Sequence, residues 1–428
     1  MTKNLFTTVI SILFFNFIFI QNYTFNLGFI NIGLIIIPIC LSIFLFIYSG
    51  SVIKYYDNTN LPIFIFLVYL FIRGTFSDDI LEAVIYFSYV VLCILIMYLT
   101  YVFTNYVIQF SLIRPILITV NLLLIFSIGI YFYLSWILTP EEISILFTAF
   151  REAGARSNRE ITSFVTSESG TIRFNGYYFD PNYWAMYATM ALTIVSCFSI
   201  ILFKSNPKKS LFIFLLIIPS ILAIVLTFSR GAILSMLLSS ILLFFFLYKT
   251  KSVFFKYYFL FSAAIVFVSS FIFLSFLTDI IETFVLKFSN ENEALENTRS
   301  NIWGLYINHL SNVELDKLIF GYGLKRDPSI EHIKMSTHNL FLYLIVKQGL
   351  LGLFSYLLII FVFVKRNLFV MKNNILHILS SLGVLAIIFQ SFFLDPLYHL
   401  PFWVLIAFNS SIKYYIKNEK FSGTKLLG

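Results

Sequence analysis

Long apolar runs separated by polar connections divide this chain, and this pattern constrains its fold more than any other feature. Of the 428 residues, 59% are hydrophobic and only 12% are charged. A soluble domain carries about 25% charged residues, so this chain has too few to cover a water-facing surface. Its mean hydropathy of +0.90 leads to the same conclusion. Most of the surface must therefore face lipid.

The apolar runs have the length of membrane spans, since a transmembrane helix needs about 20 predominantly apolar residues. The seventh and eighth runs form one block that only Ser229-Arg230-Gly231 interrupts, which predicts a tight turn between two antiparallel spans. The sequence predicts one all-α integral membrane domain over residues 1–428, a polytopic bundle of about 12 transmembrane helices. The runs lie near residues 5–22, 27–49, 60–73, 81–103, 113–138, 183–203, 210–228, 231–248, 255–277, 339–364, 374–392 and 398–416.

The distribution of basic residues sets the orientation of these spans. With the N-terminus in the cytoplasm, 16 of the 29 Lys and Arg residues fall in cytoplasmic segments, and the short outer connections hold only Arg73 and Arg230. Cytoplasmic loops carry the excess of positive charge in membrane proteins. We therefore expect both termini in the cytoplasm and two long polar loops, residues 139–182 and 278–337, on the extracytoplasmic side. Topology explains the net charge of +8, so no nucleic-acid partner is expected.

Three arginines fall on the predicted outer side. Arg173 precedes the sixth span, Arg230 lies at the turn between the seventh and eighth, and Arg299 lies in the second loop. The planar guanidinium group binds phosphate well and stays charged, so three of them suit a pyrophosphate. Contact with lipid headgroups is the competing explanation for any single arginine. Arg230 is the hardest to explain in that way, because it stands at the only break in a long apolar block.

His338-Asn339 ends the second loop and begins the tenth apolar run. Histidine is the side chain best suited to proton transfer near neutral pH. The alternative is an ordinary residue in the first turn of a helix that Thr337 or Ser336 caps. Gly349, with Gly352 behind it, predicts a bend or close helix packing. We expect a short interfacial helix to about residue 348, followed by the span itself.

The remaining motifs and absences narrow the chemistry. Asp180-Pro181-Asn182 can cap and begin the sixth span. The chain has no Gly-x-x-x-x-Gly-Lys loop, which argues against a nucleotide-driven pump. The outer loops hold no Asp-x-Asp pair and no His/Asp cluster, so neither a metal nor another cofactor is expected. The spans carry almost no acidic residues, which disfavours an ion-coupled transporter.

The order and spacing of these motifs resemble those of the bacterial O-antigen polymerase and O-antigen ligase superfamily, over roughly residues 170–365. His338-Asn339, followed by nine residues, Gly349, two residues and Gly352, matches a pattern associated with the ligases. Related polymerases carry similar forms, so this pattern does not separate the two activities. The preceding pieces are Arg173 with Gly176, Asp180-Pro181-Asn182, Ser229-Arg230-Gly231, Arg299 with Trp303, and Gly321-Tyr322-Gly323.

The resemblance implies a glycosyltransferase of the bacterial cytoplasmic (inner) membrane whose active site faces outward. Such enzymes move a glycan from a polyprenyl-pyrophosphate carrier onto a sugar hydroxyl, with inversion and without a metal or cofactor. It implies catalytic roles for His338, Arg230 and Arg299. It also implies contacts with substrate for Arg173, Asp180, Asn182, Trp303 and Asn339.

Three functions remain open at this stage. The first is a polymerase that joins lipid-linked repeat units into a surface polysaccharide, such as O-antigen or capsule. The second is a ligase that moves glycan onto lipid A-core or protein. The third is a flippase or transporter of lipid-linked sugar, which predicts charges at mid-membrane and often an internal repeat; neither is found. The expected partners are the lipid-linked donor and acceptor, membrane lipids, a chain-length regulator and a flippase.

Overall fold

A computed structural model gives the fold of this chain, and its described part is mostly helical. The described residues are 14, 26–27, 30–31, 60–77, 79–109, 112–145, 165–168, 171–178, 180–203, 210–250, 299–323, 337–368, 374–394 and 400–421. The helices are α1 (Asn60–Thr75), α2 (Ile80–Gln109), α3 (Ile113–Ile137), α4 (Pro181–Phe203), α5 (Ser210–Val225), α6 (Arg230–Thr250), α7 (Arg299–Ser311), α8 (Leu315–Phe320), α9 (Leu340–Leu368), α10 (Ile375–Gln390) and α11 (Leu400–Phe421). A further helical segment begins at Pro140.

Nine of the twelve predicted apolar runs coincide with helices, namely α1 to α6 and α9 to α11. The runs at 5–22, 27–49 and 255–277 lie outside the described residues, apart from Phe14 and a few residues of a small hairpin. Within the described part, four helices are long and apolar enough to cross a membrane: α2, α3, α4 and α9. Shorter apolar helical segments of 10–17 residues occur in α1, α5, α6 and α10. The total of twelve spans and their sidedness stay predictions.

Two small antiparallel hairpins depart from the all-α expectation. The strands are β1 (Asn26–Leu27), β2 (Ile30–Asn31), β3 (Val165–Glu168) and β4 (Thr171–Phe174). Within the second hairpin, Val165 pairs with Phe174 and Glu168 pairs with Thr171. The hydroxyl of Tyr131 on α3 donates to the carbonyl of Ile172 at 3.2 Å, which fixes this hairpin to the end of α3. The first polar loop therefore contains a short sheet beside the helix bundle.

Helix α4 lies at the centre of the bundle. It packs against α5 and α10, and also contacts α3, α6 and α11. Its aromatic side chains Trp184, Tyr187 and Phe198 are fully buried. One buried polar contact, from Gln390 Nε2 to Thr189 Oγ1 at 2.9 Å, joins it to α10. The peripheral helix α1 instead exposes large apolar side chains such as Phe64, which is the surface that lipid would cover.

Candidate active site at one end of the bundle

Arg173 connects the second hairpin to the turn that precedes Arg230. Its Nε donates to the carbonyl of Thr227 at 2.9 Å, and its Nη2 donates to Asn182 Oδ1 at 3.2 Å. The neighbouring Phe174 amide donates to the carbonyl of Leu226 at 2.9 Å. These bonds hold the polar stretch before α4 against the end of α5. Arg173 therefore has a positioning role in the structure, and its binding to pyrophosphate stays a prediction.

Asp180 caps α4, as the sequence predicted. Its Oδ1 accepts the backbone amides of Asn182 at 2.6 Å and Tyr183 at 3.4 Å, and Pro181 is the first helical residue. A carboxylate at this position satisfies amides that lack a partner within the helix. The side chain of Asn182 in turn accepts from Arg173. Asp180 and Asn182 thus fix the start of α4 relative to the hairpin.

The tight turn predicted at Ser229-Arg230-Gly231 is present between α5 and α6. Phe228 adopts a positive φ of 50°, and the Ser229 amide donates to Thr227 Oγ1 at 3.2 Å. Arg230 is the first residue of α6 and is exposed to solvent. A Cβ atom added at Gly231 would lie 2.8 Å from the ring of Phe393, so only glycine allows the turn to pack so closely there. This contact sets the Arg230 turn against the segment that follows α10.

Asn339, rather than a residue before His338, caps α9. Its Oδ1 accepts the amides of Phe341 at 3.0 Å and Leu342 at 3.1 Å. The alternative that placed His338 inside the first helical turn, under a cap from Thr337 or Ser336, is therefore wrong. His338 is half-buried just before the helix, with a left-handed φ of 46°. Its ring leaves the backbone in a direction that an ordinary first-turn residue would not take.

The cap residue also attaches α9 to the end of α10. Asn339 Nδ2 donates to the carbonyl of Phe392 at 3.2 Å, and the Leu340 amide donates to the carbonyl of Ser391 at 2.9 Å. The rings of Phe341 and Phe392 have centroids 4.6 Å apart. Because Phe393 packs on Gly231, residues 391–393 lie between the Arg230 turn and His338.

Helix α7 brings the second polar loop to the same place. Trp303 Nε1 donates to the carbonyl of Thr337 at 2.9 Å, immediately before His338. Arg299 begins α7 four residues earlier, and residues at that spacing lie on one face of a helix. The side chain of Arg299 lies outside the described part of the structure. Its position on the Trp303 face places its backbone on the side of α7 that carries the bond to Thr337.

A backbone junction supports this loop from the other side. The helix of α9 breaks at Gly349, where φ is 68° and ψ is −175°. The amides of Tyr322 and Gly323 donate to the carbonyls of Val346 at 2.9 Å and Lys347 at 3.0 Å. A Cβ atom at Gly349 would lie 2.1 Å from the carbonyl oxygen of Ile319 at α8, so the two chains touch through backbone. The predicted bend after residue 348 is confirmed.

Arg73 at the end of α1 completes the junction. Its Nε donates to the carbonyl of Phe320 at 2.7 Å, and its Nη2 donates to the carbonyl of Gly321 at 2.8 Å. The hydroxyl of Tyr69, one turn earlier, donates to the carbonyl of Gln348. A planar fork with several N–H groups can satisfy two helix-terminal carbonyls together. The sequence predicted only that Arg73 lies in a short outer connection and gave no sign of this role.

The ion pair on α8 supplies local charge next to this junction. Lys317 Nζ lies 3.4 Å from Glu314 Oε2 and 5.7 Å from the ring centroid of Tyr322. The hydrogen bond and charge of Glu314 raise the pKa of Lys317, and burial raises the pKa of Tyr322. Both groups are therefore protonated at neutral pH, which leaves Lys317 positive and Tyr322 neutral. Among the described residues, no group of three or more His, Cys, Asp or Glu residues could hold a metal ion.

The contacts form one continuous path through the predicted motifs. It runs from Arg173 to the turn at Thr227, from Gly231 to residues 391–393, and from Asn339 through Thr337 to Trp303. Hence the structure gathers Arg173, Asp180, Asn182, Arg230, His338, Asn339 and Trp303 at one end of the bundle, with the start of α7 at Arg299 beside them. These residues come from four separated parts of the chain.

A comparison with known protein families matches part of the chain that carries these residues. A family model described as O-antigen ligase matches residues 211–357, a range that runs from α5 to the middle of α9. That range contains Arg230, Arg299, Trp303, His338 and Asn339, whereas Arg173, Asp180 and Asn182 precede it. The match confirms the resemblance to the O-antigen polymerase and ligase superfamily. Members of the matched family are membrane glycosyltransferase-like enzymes of the ligase and polymerase type, and the apolar helices of this chain indicate an integral membrane protein. No curated protein and no solved structure matches the chain.

Proposed function

We propose that this protein polymerises polyprenyl-pyrophosphate-linked oligosaccharide repeat units into a surface polysaccharide, on the outer face of the cytoplasmic membrane. The observation that carries the proposal is the convergence of the Arg230 turn, the hairpin of Arg173 and the His338-Asn339 cap at one end of the bundle. Most of these residues fall within the range that matches the O-antigen ligase family. The distribution of basic residues supports an outward-facing site.

The proposed reaction is a single inverting displacement. The oxygen of an acceptor sugar hydroxyl attacks the anomeric carbon of the donor glycan and forms the new glycosidic bond. The bond between that carbon and the pyrophosphate oxygen breaks, and the polyprenyl pyrophosphate departs with the electron pair. His338 takes the hydroxyl proton, and attack from the face opposite the leaving group inverts the anomeric carbon. The activated donor supplies the driving force.

Cations must stabilise the departing pyrophosphate, because negative charge develops on its bridging oxygen in the transition state. Arg230 suits this role because its side chain is exposed at the helix start, and no hydrogen bond or ion pair holds it among the residues that the structure describes. A fixed guanidinium aimed at developing charge lowers the barrier without reorganisation during the reaction. The first turn of α6 adds its positive dipole end in the same direction. Arg299 is the second cation in this proposal.

The other predicted substrate contacts take more limited roles. Arg173 and Asn339 use part of their hydrogen-bonding capacity on backbone, so they shape the site as well as facing it. Asp180 and Asn182 hold the start of α4 in register with the hairpin. Trp303 donates its N–H group to the carbonyl of Thr337, and the face of its ring is proposed to contact a sugar.

Arg230→Ala tests the proposed contact between Arg230 and the departing pyrophosphate, with Arg114→Ala as its matched control. Both arginines are exposed at the first turn of a helix, but Arg114 begins α3 at the opposite end of the bundle. The full chain in nanodiscs would receive purified lipid-linked repeat unit, and product length would be followed on gels. Losing one such electrostatic contact costs about 10²–10³ in rate. A folded Arg230→Ala protein with the rate of Arg114→Ala would contradict the assignment.

Ligation is the second candidate, because the family description that matches this chain is O-antigen ligase. The two reactions share the donor chemistry and differ in the acceptor, which is either another lipid-linked glycan or lipid A-core or protein. A deletion strain separates them. Single repeat units on the final acceptor indicate a lost polymerase, whereas accumulation of long carrier-linked polymer indicates a lost ligase. A flippase and a chain-length regulator are expected partners if the protein is a polymerase.

A further inference from the structure

A groove with apolar walls and a basic rim lies at the end of the bundle opposite the candidate active site. It has a volume of about 530 Å³ and runs between α1 and α9, with Lys365 and Arg366 at its edge. These two residues come 16 and 17 positions after the break at Gly349, or roughly 25 Å along a helix that rises 1.5 Å per residue. The apolar walls are formed by Leu61, Pro62, Ile65, Leu358, Phe361 and Val362.

The walls of this groove are exposed rather than packed. Leu61 is 66% exposed, Phe361 is 59% exposed and Ile65 is 41% exposed. Side chains of this size expose a large apolar area to water unless something covers them. Their position on the apolar helix α1 and on α9, which is long enough to cross a membrane, makes a hydrocarbon chain the natural cover.

Further basic groups gather behind the rim on two other helices. His377 at the start of α10 and Lys413 on α11 each lie close enough to Arg366 to experience its charge, and Lys413 also acts on His377. Lys365, Arg366 and Lys413 supply the basic side chains of this end, whereas the buried imidazole of His377 is neutral. His377 is 6% exposed, and its Nε2 lies 3.1 Å from Asn367 Oδ1, so the cluster is built into the ends of α9, α10 and α11. Grouped cations repel one another, and a bound anion removes that repulsion.

We infer that this groove binds an anionic phospholipid, with an acyl chain between α1 and α9 and the phosphate against Lys365, Arg366 and Lys413. Charge complementarity selects this occupant, because a zwitterionic lipid offers the same chain without the net negative charge. Basic pockets between spanning helices on the cytoplasmic side commonly hold anionic headgroups. The positive-inside orientation places this end at the cytoplasmic leaflet. The site is independent of the proposed reaction, which takes place at the other end.

Lipid retention by the purified full chain tests the inference. Protein would be placed in nanodiscs of phosphatidylcholine and phosphatidylglycerol in equal amounts, and native mass spectrometry would count the lipids that remain bound. We expect preferential retention of phosphatidylglycerol. In the double variant Lys365→Gln with Arg366→Gln, the preference for phosphatidylglycerol over phosphatidylcholine should fall roughly five-fold for each charge removed. Arg114→Gln, which removes an exposed cation away from the groove, should lose none.

A second variant separates the groove from the general charge of this surface. Ile65→Trp keeps every cation and fills part of the apolar channel, so it should also reduce retention of phosphatidylglycerol. Ile65→Trp also tests the groove if the double variant fails to fold. Equal retention of the two lipids by the native protein would overturn the inference, as would full retention in Ile65→Trp. Stronger retention of added polyprenyl phosphate than of phosphatidylglycerol would overturn the choice of occupant.

Discussion

His338 offers the sharpest test of the proposed mechanism, because its backbone conformation allows the imidazole to be removed without disturbing the chain. The residue has a φ of 46°, in the left-handed region. This conformation costs most L-residues about 1–2 kcal/mol, whereas glycine adopts it freely and asparagine tolerates it better than most residues. His338→Gly and His338→Asn therefore retain the local path of the chain while they remove the proton acceptor.

The expected effect on stability is small. Glycine removes the left-handed penalty but costs about 0.5–1 kcal/mol through the greater freedom of the unfolded chain. These two contributions oppose one another, so the net change should stay within about 1 kcal/mol. Loss of a general base reduces rates by roughly 10²–10⁴, which corresponds to about 3–5 kcal/mol of transition-state stabilisation. Activity should thus fall far more than stability.

The assay compares both variants with the native protein in nanodiscs. Thermal unfolding reports stability, and single-turnover rates at saturating lipid-linked donor report the chemical step. His309→Ala is a matched control, since His309 lies on α7 near Tyr322 and outside the path of contacts that joins the motifs. A normally folded His338→Gly or His338→Asn protein that transfers glycan at the native rate would refute the role of His338 as base.

Three further predictions concern the framework of the site. Arg73→Lys should lower the free energy of unfolding by about 1–3 kcal/mol, because an ammonium group cannot reproduce the fork that satisfies two carbonyls at the end of α8; thermal unfolding and proteolysis within residues 299–323 would measure it, and an unchanged protein contradicts the role. Gly349→Ala should cost more than about 2 kcal/mol through its positive φ and steric conflict, whereas Gly129→Ala in α3, where nothing lies within 4 Å, should be neutral or stabilising. Asp180→Ala should cost about 1 kcal/mol and Asp180→Asn much less, because asparagine also caps helices; equal losses in thermal unfolding would count against the cap.

Local sequence patterns predicted the features that depend on neighbouring residues. Apolar runs predicted nine of the helices, because the length and apolar pattern of a helix can be recognised from consecutive residues. The cap at Asp180 and the turn before Gly231 depend on short motifs, and the structure confirms both. The break at Gly349 was predictable for the same reason, since Gly349 and Gly352 lie close together in an apolar run and glycine favours a bend or close helix packing.

Features that depend on distant partners could not be predicted in this way. Arg73 bonds to carbonyls 247 and 248 residues away, and backbone acceptors leave no mark on the sequence. The hairpin at 165–174 is short and polar, so its strands lack the alternating pattern that identifies a half-buried sheet. The cap of α9 was misplaced because Thr337 and Asn339 are both good capping residues, and only the fold decides between them.

The junction between Gly321-Tyr322-Gly323 and the break in α9 uses main-chain bonds on both sides. No side chain of residues 315–320 is fully buried, so these six side chains contribute little to holding the segment in place. Residues 315–320 can therefore diverge without loosening the loop, which leaves their exposed surface available to recognise different sugars. Swapping these six residues between related chains would then move acceptor preference while leaving the chemistry untouched.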